Sequence, residues 1–340
     1  MRKQRRGNYD ILVFGDINVD IVGRVKAWPE PGAECLAPRL ELHCGGVAAN
    51  CALALRRWGI SPQLFACVGN DEFGEFAIKT LTKSGVDVRW VRGTSAAMTG
   101  LLYINVTPDG QRTFFGSRGA NRCAPSCVTR KSAVLRGVSA ASVTGYSFLD
   151  PSPESVARQI LREVHTRGGW VSLDVGMEPS QVIPRKIMRI ARNVDIFFVS
   201  GEEAATLTGI RDARAAYRRL QSTGAQLVVM KLGKAGCLIW EAGVLRQVPA
   251  FTIKPVDSTG AGDAFVAAFL QAKLRKWPEL EAAVVANAAG AVATSVVGAG
   301  EKLPTVRQIA RLLRNSRLKK PWDAVRLRVL ARLRDLLDSE

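Results

Sequence analysis

Apolar and polar positions along the chain follow two alternating periods. Short runs that are apolar on both faces, at 9–15, 63–68, 170–174, 196–199 and 227–232, read as buried strands. Between them, stretches at 47–57, 73–84, 154–167, 183–191, 202–207 and 213–222 place apolar residues at helical spacing. Further strands are expected at 86–91, 142–145 and 236–241. Strands and helices in this order predict an α/β fold: a three-layer α/β/α sandwich around a mostly parallel sheet with right-handed crossovers.

Two regions break that rhythm. Residues 34–43, and 99–106 with 111–117, alternate apolar and polar with no helix between them, and Thr107-Pro108-Asp109-Gly110 reads as a hairpin turn. They are expected to form a small β-sheet lid, which would keep water from a reaction beneath it. The stretch 282–297 is apolar but rich in Ala and Gly, with Asn287, Thr294 and Ser295, which predicts a core helix and no membrane span. Near the C-terminus Trp322, Val325, Val329, Leu333 and Leu336 or Leu337 recur at helical spacing among Arg326, Arg328, Arg332 and Arg334. That pattern predicts a basic amphipathic helix docked on its own domain.

Composition adds two constraints. A chain with 47% hydrophobic and 23% charged residues is globular with a large core. Its net charge of +18, from 48 Lys and Arg against 30 Asp and Glu, is dispersed and comes with no recognition-helix, zinc-finger or RNA-binding signature. Generic basicity with an anionic substrate is therefore preferred to a specific nucleic-acid role. Of 7 cysteines only Cys123 and Cys127 lie close together, and His43 and His165 are the only histidines. This predicts reduced thiols in a cytoplasmic protein, without a zinc site. The basic N-terminus precedes an apolar run too short for a secretion signal.

The candidate chemistry centres on Val256-Asp257-Ser258-Thr259-Gly260-Ala261-Gly262-Asp263-Ala264-Phe265. The run 251–256 reads as a strand, the small residues as a tight loop, and 264–274 as a helix. Gly260, Ala261 and Gly262 let backbone amides approach an anion at a helix start. Asp263 in that first turn would repel a resting phosphate but would accept a proton from a hydroxyl attacking one. A plain helix cap would use the same residues, so the rest of the chain has to decide. Asp16, Asn18 and Asp20 alternate beyond the end of the first strand, where α/β sheets bind ligands. Gly45 and Gly46 open a helix carrying Asn50 one turn in, and Ser200-Gly201-Glu202-Glu203 and Lys231-Leu232-Gly233-Lys234-Ala235-Gly236 follow later strands at the same edge.

With Gly45-Gly46-Val47-Ala48-Ala49-Asn50 in front and Asp257-Ser258-Thr259-Gly260-Ala261-Gly262-Asp263 behind, the sequence resembles the ribokinase-like, or PfkB, family of carbohydrate kinases over about residues 9–312. The resemblance implies a kinase domain at 8–316, lid segments at about 20–43 and 97–118, and a separate C-terminal helix at 317–340. It implies ATP and Mg2+ as cofactors, Asp263 as base, and the amides of Gly260, Ala261 and Gly262 as anion hole. Asn18, Asp20, Gly45, Gly46 and Asn50 match sugar-binding positions, with Asp16 placed to join them. Glu203 matches the acidic residue that organises Mg2+ through water, while Lys231, Gly233, Gly236 and Asn287 fall at nucleotide contacts. Ser200 stands where the family usually has Asn, and Val47 where ribose-specific members have Lys, so ribose is not assigned. The resemblance further implies a lid that can meet a partner's lid in a homodimer. For K+ it points to Asp257, Thr259, Ala293, Val296 and Gly298, with the Lys302 ammonium as an alternative occupant. Arg118, in an acid-free basic stretch, meets either an anionic substrate or only solvent. An ATP-dependent kinase of a monosaccharide or sugar acid, a nucleoside kinase and a non-catalytic sugar-binding regulator are the readings carried forward.

Overall fold

The buried apolar runs satisfy their backbone N–H and C=O groups by pairing with one another. The computed structural model describes residues 10–108, 112–125, 133–296 and 298–338. Tyr9, Asp109, Gly110, Gln111, Cys127 and Val297 lie outside the described residues, as does the tip of the expected lid turn. In chain order the strands are β1 (Ile11–Phe14), β2 (Asn18–Arg24), β3 (Leu40–Gly45), β4 (Pro62–Gly69), β5 (Asp87–Thr94), β6 (Gly100–Val106) and β7 (Arg112–Ser117). They continue as β8 (Ala140–Thr144), β9 (Trp170–Asp174), β10 (Ile196–Ser200), β11 (Leu227–Lys231), β12 (Cys237–Glu241) and β13 (Val244–Val248).

Among the described residues these strands form a nine-stranded sheet, β13-β12-β11-β10-β9-β8-β1-β4-β5, and a separate four-stranded sheet, β3-β2-β6-β7. The large sheet is parallel from β11 through to β5, and β12 and β13 add an antiparallel edge. Alternate residues of one strand feed two cores: Ile11 and Val13 face the layer containing helices Val47–Arg57, Ala261–Leu274 and Glu279–Ala293. Leu12 and Phe14 face the layer containing Pro151–Thr166 and Ala213–Gln221. This is the expected α/β/α sandwich with a β lid.

Some local expectations do not hold. Residues 251–256 are not a strand: the N–H of Val256 and that of Asp257 both donate to Thr294 O (2.7 and 3.1 Å), and Pro255 has no N–H to give a ladder. The edge position goes instead to β13, which the apolar pattern did not single out. The helix expected at 183–191 is present as Pro184–Ile190, and a separate short helix that was not expected, Met177–Val182, precedes it, because Pro184 starts a new first turn after a non-helical Ile183. Residues 34–39 lie outside the ladder, so the lid strand begins only at Leu40.

The C-terminal helix Trp322–Leu337 lays Val325, Val329, Leu330 and Leu333 into the same core as Glu279–Ala293 and Val306–Asn315. Arg326 is buried with it, its Nη1 donating to Leu313 O (2.5 Å) and its Nε to Asp323 Oδ1 (2.7 Å). Glu281, also buried, accepts from Arg328 Nε (2.8 Å) and Arg332 Nε (2.6 Å). None of the described helices is long and apolar enough to cross a membrane.

Candidate active site

Parallel strands all end on one side, and here β1, β9, β10 and β11 deliver Asp16, Asp174, Ser200 and Lys231 to a single edge. Helix Ala261–Leu274 starts there as well. Gly260 takes φ 72, and a Cβ on it would come within 2.7 Å of Ala299 Cβ, so glycine lets the loop turn against its neighbour. A Cβ on Gly262 would find only Lys231 Nζ, at 3.8 Å, which leaves that amide open to a ligand. The Ala261 N–H turns back onto Ser258 O (3.2 Å), so it closes the loop, and the first-turn amides beyond it have no intrahelical partner.

Asp263 is in the first turn of that helix. Its Oδ2 accepts a hydrogen bond from Asn50 Nδ2 (2.6 Å), and Asn50 Oδ1 accepts from the Gly300 N–H (3.1 Å). Burial pushes the Asp263 carboxyl up to about 6; the Asn50 bond opposes that rise, Asp174 adds to it, and Lys231 opposes it. Lys231 Nζ pairs with Asp174 Oδ1 at 2.7 Å, in a buried position where neighbouring carboxylates hold the ammonium in its charged form. Asp174 was not singled out from the sequence. Its signal is the one that pointed to Asp16, a carboxylate closing a buried apolar run.

On the acceptor side, pairing of β2 with β3 and β6 sets Asn18 and Asp20 under the lid. Gly45 is opposite Asn18, and a Cβ there would come within 2.2 Å of Asp20 Oδ2; a Cβ on Gly46 would strike Asp16 O at 2.4 Å. The paired glycines thus clear space for the protein's own carboxylate and backbone. Asp20 is buried, its Oδ1 has no partner, and burial reinforced by the Asp263 charge pushes it up to about 7. Asn18 Oδ1 accepts from Asn121 Nδ2 (2.8 Å), and Asn121 also brackets the backbone of Ile17. Asn121 is a further residue that sequence reasoning did not select.

Arg118 reaches inward, pairing with Asp150 and, at 3.3 Å, with Asp16 Oδ1, and donating to Tyr146 O (2.9 Å). Burial raises the Asp16 carboxyl, and Arg118 pulls it back. Ser200 and Glu203 engage each other in a reciprocal cap of helix Gly201–Thr208, with Ser200 N to Glu203 Oε2 at 2.7 Å and Glu203 N to Ser200 Oγ at 3.1 Å. Ser200 therefore has a local structural use. Burial raises the Glu203 carboxyl and Lys231 opposes this.

Lys231, Gly233, Gly236, Ser258, Ala261, Gly262 and Asn287 line one cavity of about 550 Å³, walled also by Phe251, Ile253 and Phe265. Ser200 and Glu203 do not line it. Gly236 has a second role, since a Cβ on it would strike Val248 O at 1.9 Å, and Asn287 Nδ2 donates to Val248 O and Pro249 O, both at 3.2 Å.

The places named for a monovalent cation come together only in part. Asp257 Oδ2 accepts from the Gly298 N–H (2.7 Å), and its Oδ1 accepts from Thr259 N (2.8 Å) and Thr259 Oγ1 (2.7 Å). Ala293 ends helix Glu279–Ala293, and Val296 follows it in the turn. Lys302 is not at this loop: its Nζ lies 3.6 Å from Glu41 Oε2 at the surface. Arg112 of β7 is there instead, 3.4 Å from Asp257 Oδ1 and donating to Ser258 Oγ and Thr259 Oγ1. With the carboxylate already holding these donors and a guanidinium, the site does not fit a bare cation.

The chain is similar to known proteins over most of its length. Fructokinase-1 of Zea mays is 31% identical over 322 residues, covering 89% of this chain and 97% of that protein. Aminoimidazole riboside kinase of Salmonella typhimurium is 29% identical over 317 residues, covering 89% of this chain and 94% of that protein. The solved structure of Arabidopsis thaliana ribokinase complexed with ribose and ATP superposes with a TM-score of 0.79 at 25% identity, covering 91% of this chain and all of that one. Residues 8–306 match the pfkB family carbohydrate kinase domain, and the chain belongs to that family of phosphotransferases.

Proposed function

We propose that this kinase phosphorylates a hydroxyl of a neutral monosaccharide, with Asp263 as the base and the amides of Gly260 and Gly262 stabilising the transferred phosphoryl group, the Ala261 N–H being held by Ser258 O. The observation that carries the reading is a second buried carboxylate, Asp20, close enough to Asp263 for the two charges to repel and with no partner on its Oδ1. A buried acceptor without a donor favours a ligand that brings O–H groups. Three carboxylates, Asp16, Asp20 and Asp263, would repel an anionic acceptor, and Arg118 is already paired with Asp16 and Asp150. This favours a neutral sugar over a sugar acid or sugar phosphate.

The cavity of about 550 Å³ would take ATP, with Lys231, Gly262 and Asn287 among the residues that would hold it. Mg2+ would be held by the nucleotide phosphates and water, with Glu203 as the outer carboxylate. The donor set suits a hard cation: Glu203 is buried and lies close enough to Asp174 for the two charges to repel. Mg2+ would neutralise charge on the phosphates.

Leu40, Leu42, Phe114 and Phe115 are about half exposed on the lid, and Trp28 stacks on Phe115 at 5.5 Å. This apolar face supports a homodimer of two lids, checked by light scattering of the wild type and of Phe115→Glu. The described cysteines are all unpaired, which supports a reducing, cytoplasmic setting.

The acceptor is tested with a panel of neutral sugars, sugar acids and nucleosides, following ATP consumption. Turnover with neutral hexoses or pentoses is expected. Turnover confined to nucleosides would replace the sugar reading, and binding of sugars without any ATP consumption would favour a regulator.

A further inference from the structure

We propose that the guanidinium of Arg112, a lid residue, permanently occupies the place where related kinases would need a monovalent cation, so that this enzyme works without K+ and its anion loop is ordered by its own lid. Arg112 opens β7, the outer strand of the lid sheet. Its side chain crosses to the loop before the helix Ala261–Leu274, where Nη1 lies 3.4 Å from Asp257 Oδ1 and donates to Thr259 Oγ1, and Nη2 donates to Ser258 Oγ. The Asp257 side chain is 6% exposed and that of Arg112 is 21% exposed, so the pair is shielded from solvent and salt. The ring of Phe114 lies 5.6 Å from the guanidinium carbon and supports its other face.

The loop needs a positive charge at this point. Asp257 holds the Gly298 N–H on one oxygen and Thr259 on the other, tying the start of the anion loop to the segment after helix Glu279–Ala293. A buried carboxylate serving as such a hub without a counter-charge would be costly. Arg112 supplies the charge as a planar fork whose two terminal nitrogens reach Asp257 Oδ1, Thr259 Oγ1 and Ser258 Oγ from the lid strand. Lys302, the other basic residue considered for this place, is engaged with Glu41 at the surface.

Arg112 is therefore a positioning residue. It touches no reacting atom, but it joins the lid strand next to β6, and through β6 the acceptor residues on β2, to the turn that presents Gly260 and Gly262. Lid placement and anion-hole geometry become one arrangement.

The inference rests on the kinase reading of the site, so its test includes a readout that needs no substrate. Melting temperature and steady-state turnover are measured for wild type, Arg112→Ala and Arg112→Lys in KCl and in tetramethylammonium chloride of equal ionic strength. For wild type both quantities should be the same in the two salts. Arg112→Ala should lose about 10–100-fold in kcat in tetramethylammonium, with the sugar KM little changed, and should recover part of it, with a K+-specific rise in melting temperature, in KCl. Arg112→Lys should fall between the two. A wild type whose melting or turnover responds to K+ overturns the proposal, as does an Arg112→Ala variant that matches wild type or is impaired without any response to K+. A wild type inactive on every acceptor, yet with K+-indifferent melting beside a K+-responsive Arg112→Ala, would sink the kinase reading and uphold the Arg112 assignment.

Discussion

Asn50 Nδ2 donates to Asp263 Oδ2 at 2.6 Å across a sequence separation of 213 residues, while Asn50 Oδ1 accepts from the Gly300 N–H. The two bonds orient the amide unambiguously, because a flip would set oxygen against carboxylate and NH2 against N–H. Asn50 is thereby a positioning residue for the base. Asn50→Ala is expected to lower kcat about 10–100-fold, the worth of one hydrogen bond to a charged group. Its pH–rate profile should also move to higher pH, since the Asn50 bond is what holds the Asp263 carboxyl down. An unshifted profile would count against this role.

Asp263 acts as a base only without its proton, and burial sets its titration near 6. We expect kcat/KM to fall tenfold per pH unit below about 6 and to be level above it. A profile flat to pH 5 would exclude Asp263 as the titrating base.

Burial of Asp263 and Asp20 also carries a stability signature. Both are raised from 3.8, to about 6 and about 7, so between those limits the folded chain binds more protons than the unfolded one. Their contribution is therefore most favourable at low pH and is lost as pH rises from about 4 to about 7. Asp263→Asn removes the buried charge and should stabilise the protein by about 1–3 kcal/mol at neutral pH while abolishing most turnover and sparing sugar binding. Thermal melts of both forms across this range measure the difference.

Lys231 and Asp174 are paired where little solvent reaches them, so removing Lys231 leaves the buried Asp174 carboxylate without its ion partner. Lys231→Met is expected to cost about 3–5 kcal/mol of stability and to raise the KM for ATP. The double variant Lys231→Met with Asp174→Leu should regain stability without regaining activity, which separates the two roles in one double-mutant comparison.

Glu281 holds Arg328 and Arg332 from the C-terminal helix. Glu281→Ala should cost about 1–3 kcal/mol by unfolding assay. Deleting residues 317–340 would expose the faces of helices Glu279–Ala293 and Val306–Asn315 that Val325, Val329 and Leu333 cover, and insoluble protein is the expected outcome.

Periodicity was enough to read the layers, because a strand buried on both faces and an amphipathic helix leave distinct marks whatever they pack against. It failed at 251–256, where a β-prone run walls the 550 Å³ cavity and among the described residues no strand offers it a ladder, and at β13, where an exposed edge strand has little apolar pattern to show. The residues named from local motifs, Asp263, Gly262, Asn18 and Asp20, lie around one edge of the sheet because each sits at a strand end or helix start, which the chain itself dictates. Their partners were not legible. Asn50 on Asp263, Asp174 on Lys231, Asn121 on Asn18 and Arg112 on Asp257 are all pairs formed across strand order and lid placement. Local sequence therefore determined which groups come to this edge of the sheet, and tertiary structure decided which charge each one meets, because burial and neighbouring charge depend on distances that no local pattern encodes.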